Sequence, residues 1–175
     1  MATRNRNLNP AIPLIQVYDE TGNQLLDGGI FHTWDTTSFI TSNFQYVSDS
    51  NKITCKRNST GYYKVTFECS FYTTVASRMQ ILSSIYKNGT QLKGTYALAT
   101  VEGDGGQSME IATSLTITFI VQLEKGDYIQ VYSLPTGNSI YTYQNSSRLT
   151  IEFIPMRGWD NGRGGKEFIR GGFER

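Results

Sequence analysis

From Ile53 to Phe153 the apolar residues fall on every second position in segment after segment, and Gly, Asn and Asp interrupt the runs. Tyr63, Val65, Phe67, Cys69 and Phe71 share one parity, while Tyr62, Lys64, Thr66, Glu68 and Ser70 hold the other. Leu115 to Leu123 repeats the alternation, and so does Leu149 to Phe153 against Arg148, Thr150 and Glu152. A period of two puts one face of an extended strand against a core and the other toward solvent, a pattern no helix can use. The chain is therefore read as all-β, a two-sheet antiparallel sandwich of roughly eight to ten short strands with polar turns, of the jelly-roll type. Such a scaffold brings no chemistry of its own, so function has to come from surfaces, loops and assembly.

The 175 residues suit one domain with appendages and suffice for a core without metals or disulfide staples. Residues 1–29 read as an extended N-terminal arm followed by a short hairpin, with Leu14–Tyr18 and Asn23–Leu26 flanking the turn cluster Asp19-Glu20-Thr21-Gly22. Residues 30–156 read as the jelly roll. Strands are expected at 30–34, 44–47, 53–56, 61–73, 79–87, 95–101, 114–123, 128–134, 139–143 and 147–155. Residues 157–175 form a Gly-rich tail without period. Within 79–87, Met79, Ile81 and Ile85 share one face, but Leu82 and Tyr86 lie on the other, so that strand is expected to be covered on both sides.

Charge is low and uneven. The whole chain carries +1, yet residues 11–156 hold nine basic and twelve acidic side chains, a net −3, and the two ends are each +2. No global field marks a nucleic-acid binder. No apolar stretch approaches the roughly 20 residues of a membrane span, and the N-terminus shown lacks the apolar core of a signal peptide. The chain reads as soluble. Sequons stand at Asn58, Asn88 and Asn145. Cys55 and Cys69 share parity with core residues and read as two buried thiols, with a disulfide between them as the alternative.

Catalysis has little to draw on. His32, the only histidine, would have to serve any Ser/His/Asp or Cys/His arrangement, and beside Phe31 and Trp34 it reads as a packed side chain instead. One His and two Cys do not make a four-ligand zinc site. Glu102 and Asp104 in Val-Glu-Gly-Asp-Gly-Gly are open to a calcium reading, but two carboxylates fill too little of a six-to-eight-oxygen shell, which favours a solvated hairpin loop. No catalytic, cofactor or metal residues are assigned. Tyr128 and Tyr132 alternate with Ile129 and Val131, so both tyrosines face outward, as residues of a subunit interface or as plain surface aromatics. In the tail, Trp159, Phe168 and Phe173 alternate with basic residues. Three readings compete there: aromatic anchors docking on a neighbour, an Arg-Gly nucleic-acid segment, and disorder. Glu167 and Glu174 interrupt the basic run and disfavour nucleic acid.

Several motifs, in order, add a resemblance. Phe44-Gln-Tyr-Val, Ile53-Thr-Cys and Gly61-Tyr-Tyr-Lys-Val, then Ile85-Tyr-Lys-Asn-Gly, Leu123-Glu-Lys-Gly-Asp-Tyr-Ile-Gln-Val and Ser146-Ser-Arg-Leu-Thr-Ile-Glu-Phe, are similar to the complement globular-head and tumour necrosis factor superfamily over residues 44–155. The resemblance implies a ten-stranded jelly roll that assembles as a compact homotrimer, with outer side chains of central strands along the three-fold axis. It departs from the family in having no collagen-like stalk in the sequence shown and in carrying two extra terminal arms. The resulting expectation is a non-enzymatic structural protein of a symmetric assembly, a minor capsid, decoration or fibre-head protein of a virion, tied to neighbouring structural proteins by both termini. The alternative is a soluble, extracellular, complement-head-like trimer that recognises a protein or glycan ligand.

Overall fold

A computed structural model describes residues 12–56, 60–103 and 113–155. Thirteen strands run in order: β1 (Leu14–Asp19), β2 (Ile30–Phe31), β3 (Thr36–Ile40), β4 (Phe44–Gln45), β5 (Ile53–Cys55), β6 (Gly61–Thr73), β7 (Arg78–Lys87), β8 (Thr90–Gln91), β9 (Ala97–Glu102), β10 (Thr113–Leu123), β11 (Tyr128–Pro135), β12 (Ile140–Thr142) and β13 (Ser147–Phe153). They form two antiparallel sheets. Sheet A has the order β10-β6-β13-β1-β3, with β12 also on β6; sheet B has the order β4-β5-β11-β7-β8, with β2 on β11 and β9 on β7. This is the jelly-roll sandwich that the alternation predicts.

Inward parity builds the core. Ile15, Val17, Val65, Phe67, Phe71 and Ile151 from sheet A meet Ile53, Ile81, Ile85, Ile129 and Val131 from sheet B, with Trp34 filling the space between, and all are essentially inaccessible. Tyr63 lies edge-to-face with Phe44 at 5.7 Å and with Phe153 at 5.5 Å, closing one pole. At the turn between β7 and β8, Asn88 and Gly89 both take positive φ, the conformation that the Asn-Gly pair supplies to a two-residue hairpin.

Three expectations change. Leu14–Asp19 does not pair with residues 23–26. It lies inside sheet A between β13 and β3, with Ile15 opposite Ile151 and Val17 opposite Leu149, so the sandwich begins at β1 and not at residue 30. The reason is burial: Ile15 and Val17 have no place in an isolated hairpin. The turn after β1 is closed locally, with Asp19 Oδ1 accepting the Gly22 N–H at 2.8 Å, and Leu25 bridges to Tyr141. Secondly, residues 36–40 form a strand, β3, although they carry no apolar alternation, whereas the strand expected at 30–34 is short because Trp34 leaves β11 to bridge Ser50. Thirdly, Phe119 has inward parity but is only partly buried, whereas Leu115, Ile117, Val121 and Leu123 of the same strand are buried.

Candidate interaction surface

Strand β11 is central in sheet B, and its alternation sends Ile129 and Val131 inward and Tyr128, Tyr132 and Leu134 outward. Both interface tyrosines expected from sequence therefore stand on the outer face, but they stand in different surroundings. Tyr132 lies opposite Phe31, and the two rings together with Tyr86 form a three-ring cluster with centroids 5.1, 5.2 and 5.8 Å apart. Gly29, at φ +84°, allows the chain to cross close to the Tyr132 hydroxyl. Tyr128 sits at the polar end of the strand with the Lys52 ammonium 4.7 Å above its ring.

Cross-strand pairing extends the cluster into a wider apolar face. Leu82 of β7 stands opposite Leu134 on one side and Leu98 of β9 on the other. Leu98 is 60 % exposed, Tyr96 57 % and Leu134 41 %. A row of three leucines beside a cluster of three aromatic rings on one sheet face is a surface that water covers poorly. The sequence signalled Leu82 and Tyr86 through the broken alternation of residues 79–87. It did not signal Phe31, Tyr96 or Leu98 as one surface, because they join it only through the pairing of β2 with β11 and of β9 with β7.

The rim of this face is polar and tightly bonded. Asp127 forms an ion pair with Lys87 at 2.8 Å and accepts from the Asn88 amide at 2.7 Å, while Asn88 Oδ1 accepts the Tyr128 N–H at 2.9 Å. Partial burial acts to raise the Asp127 carboxyl, but hydrogen bonds from Lys87, Asn88 and the Glu124 N–H hold it below its ordinary value. The Asn88 amide, on an exposed residue, thus ties the β7–β8 turn to the start of β11.

The other sequence candidates resolve individually. His32 is fully buried against Trp34, Phe67 and Phe71, and its Nε2 lies 2.7 Å from Ser133 Oγ, which is itself 2.7 Å from Ser83 Oγ. This Ser-Ser-His chain is sealed in the core. Burial pushes the imidazole down to about 3. Cys55 and Cys69 lie in opposite sheets as buried thiols rather than a disulfide. Burial pushes the Cys69 thiol up to about 12 against the hydrogen bond from Ser147. Glu102 faces Arg78 at 3.7 Å, and among the described residues no three His, Cys, Asp or Glu side chains converge on a metal position. Asp104, Asn58, Trp159, Phe168 and Phe173 lie outside the described residues. No helix long and apolar enough to cross a membrane occurs among those described.

No family model matches the sequence, and no curated protein does. The fold has many counterparts among solved structures. Murine APRIL, a protein of the tumour necrosis factor superfamily, superposes at pH 5.0 with a TM-score of 0.54 and 11 % identity over 82 % of this chain and 99 % of that one. Its structure at pH 8.0 gives 0.55 and 11 % over 81 % and 98 %, and that at pH 8.5 gives 0.55 and 10 % over 81 % and 98 %. At this identity the likeness is one of fold, a jelly roll of the tumour necrosis factor type.

Proposed function

We propose that this chain is a non-enzymatic structural protein that associates with itself as a homotrimer and serves as a minor capsid, decoration or fibre-head protein of a virion. The observation that carries the self-association is the outer face of sheet B, where Leu98, Tyr96 and Leu134 are exposed beside the Phe31–Tyr86–Tyr132 cluster. Apolar and aromatic residues at the centre with an ion-paired rim at Lys87 and Asp127 match the anatomy of a subunit interface. The fold likeness to a tumour necrosis factor superfamily protein supports a trimer as the form of that association. The single histidine, enclosed in the core, supports the non-enzymatic reading, since a general base has to meet a substrate. In this reading both termini tie the trimer to neighbouring structural proteins, with Trp159, Phe168 and Phe173 as the anchors at one end.

Sedimentation velocity of the purified chain over a hundred-fold concentration range tests the central claim. A species of three times the chain mass is expected. A monomer at the highest concentration overturns the proposal.

A further inference from the structure

At the pole of the sandwich where β5 ends and β10 turns into β11 there is a groove of about 480 Å³, whose polar lining is Ser42, Gln45, Thr54, Lys56 and Lys125. We propose that this groove binds a tetrahedral oxyanion, a phosphate or sulfate group.

Alternation and pairing assemble the lining. Ile53 and Cys55 of β5 are buried, so Lys52, Thr54 and Lys56 face outward. Thr54 stands opposite Gln45 of β4 on one side and Tyr128 of β11 on the other, and the Lys52 ammonium adds a positive charge above the Tyr128 ring. The turn between β10 and β11 is fastened to the end of β5: the Gly126 N–H donates to Cys55 O at 2.9 Å and the Cys55 N–H donates to Asp127 O at 2.8 Å. That fastening brings Lys125 to the same groove as Lys56.

Charge and donor count select the ligand. Two ammonium groups line the groove and no carboxylate does. Asp127 nearby is neutralised by Lys87 at 2.8 Å, and Glu124 precedes Lys125 in the turn without lining the groove. Among the described residues the side chains of Ser42, Gln45, Thr54 and Lys125 make no hydrogen bond or ion pair, so two hydroxyls, an amide and an ammonium are open to a ligand. A tetrahedral oxyanion accepts several such donors at once, with lysine acting as a point charge. A planar carboxylate is better met by the fork of an arginine, which this lining lacks.

The charge distribution of the molecule steers an anion to the same pole. Asp19 and Glu102 stand at the strand ends of the opposite pole, where Asp27 accepts the Ser139 N–H and Asp35 the Glu20 N–H. Both ends of the chain leave beside the groove. Thr41, next to Ser42, donates its N–H to Leu14 O at 2.9 Å, and its Oγ1 accepts the Leu14 N–H at 3.1 Å; the Phe153 N–H donates to Pro13 O at 2.9 Å. The sequence beyond carries +2 at each end. Positive charge gathered at one pole raises the local concentration of anions and their rate of arrival. The groove adjoins the start of β11, whereas Leu134 of the apolar row lies toward its other end, so the site goes beyond the self-association face.

The test titrates the full-length chain with inorganic phosphate, sulfate and tripolyphosphate at constant ionic strength, with chloride as the reference anion and amide chemical shifts as the readout. Saturable shifts centred on residues 42–45, 54–56 and 124–126, at about millimolar affinity, are expected. Lys125→Gln and Thr54→Val are each expected to weaken binding about ten-fold or more, what one hydrogen bond to a charged group supplies. Tripolyphosphate binding more tightly than phosphate assigns the group to a longer polyanion, and equal affinity assigns it to a free ion; either result supports the groove. The inference is overturned by shifts that chloride reproduces, by the absence of saturable shifts, by shifts elsewhere on the surface, or by undiminished binding in both folded variants. It stands apart from the oligomeric state, because anion binding and trimer mass are read separately.

Discussion

His32 Nε2 and Ser133 Oγ stand 2.7 Å apart in the core, with Trp34, Phe67 and Phe71 packed around the ring. The ring is held neutral by burial, and its Nδ1 has no hydrogen-bond partner among the described residues.

Acid is therefore expected to loosen the sandwich. The folded-state value of about 3 lies below the ordinary 6.5, so the unfolded chain takes up the proton first. The stability that His32 contributes is fully present above pH 6.5 and is lost as pH falls toward 3. Between pH 6.5 and 5, where ordinary carboxylates remain ionised, the loss approaches about 2 kcal/mol, from about 1.4 kcal/mol per pH unit. Urea unfolding at pH 7 and pH 5 measures it. His32→Leu should abolish the difference, and an equal loss in that variant would assign the effect elsewhere.

Phe67 and Phe119 separate the middle of sheet A from its edge. Phe67 is fully buried, whereas Phe119 is only partly so. Phe67→Ala is expected to cost about 3–5 kcal/mol, and Phe119→Ala clearly less. Equal losses in chemical denaturation would contradict the partial burial of Phe119.

Leu98→Asp combined with Leu134→Asp places two charges on the outer face of sheet B without removing a core side chain. The trimer is expected to fall to monomer, because an interface cannot readily desolvate unpaired carboxylates. Melting of the monomeric sandwich should change little. A double variant that sediments as the wild type does would move the interface off this face.

Gly29 shows how closely the chain passes Tyr132. A side chain there would meet the Tyr132 ring, and φ of +84° disfavours any L-residue. Gly29→Ala is expected to destabilise by about 1–3 kcal/mol and to displace the Phe31–Tyr86–Tyr132 cluster. Near-ultraviolet circular dichroism reports the second effect.

Truncation after Met156 removes Trp159, Phe168 and Phe173 but no residue with the alternation of the sandwich strands. The shortened chain should fold and yet fail to enter particles, since buried aromatic anchors contribute about 2 kcal/mol or more each. Normal incorporation would dismiss the anchors. Salt-sensitive binding to single-stranded RNA or DNA that is lost on truncation would favour a nucleic-acid tail instead.

Alternation alone determined the architecture, because a strand with one dry face writes its burial into every second residue: Val65, Phe67 and Ile151 are where parity places them. Turn chemistry was equally legible at Asn88-Gly89. Both depend on neighbours in sequence. What brought Leu134, Leu82 and Leu98 into one row is the pairing of β11, β7 and β9, and what moved β1 into sheet A is its pairing with β13, 134 residues away at the Gln16–Thr150 bond. Such contacts have no local signature. A five- or six-residue strand shows which face is apolar, but which strand lies beside it, and hence whether an exposed side chain is solitary or part of a surface, is decided by the packing of the whole sandwich.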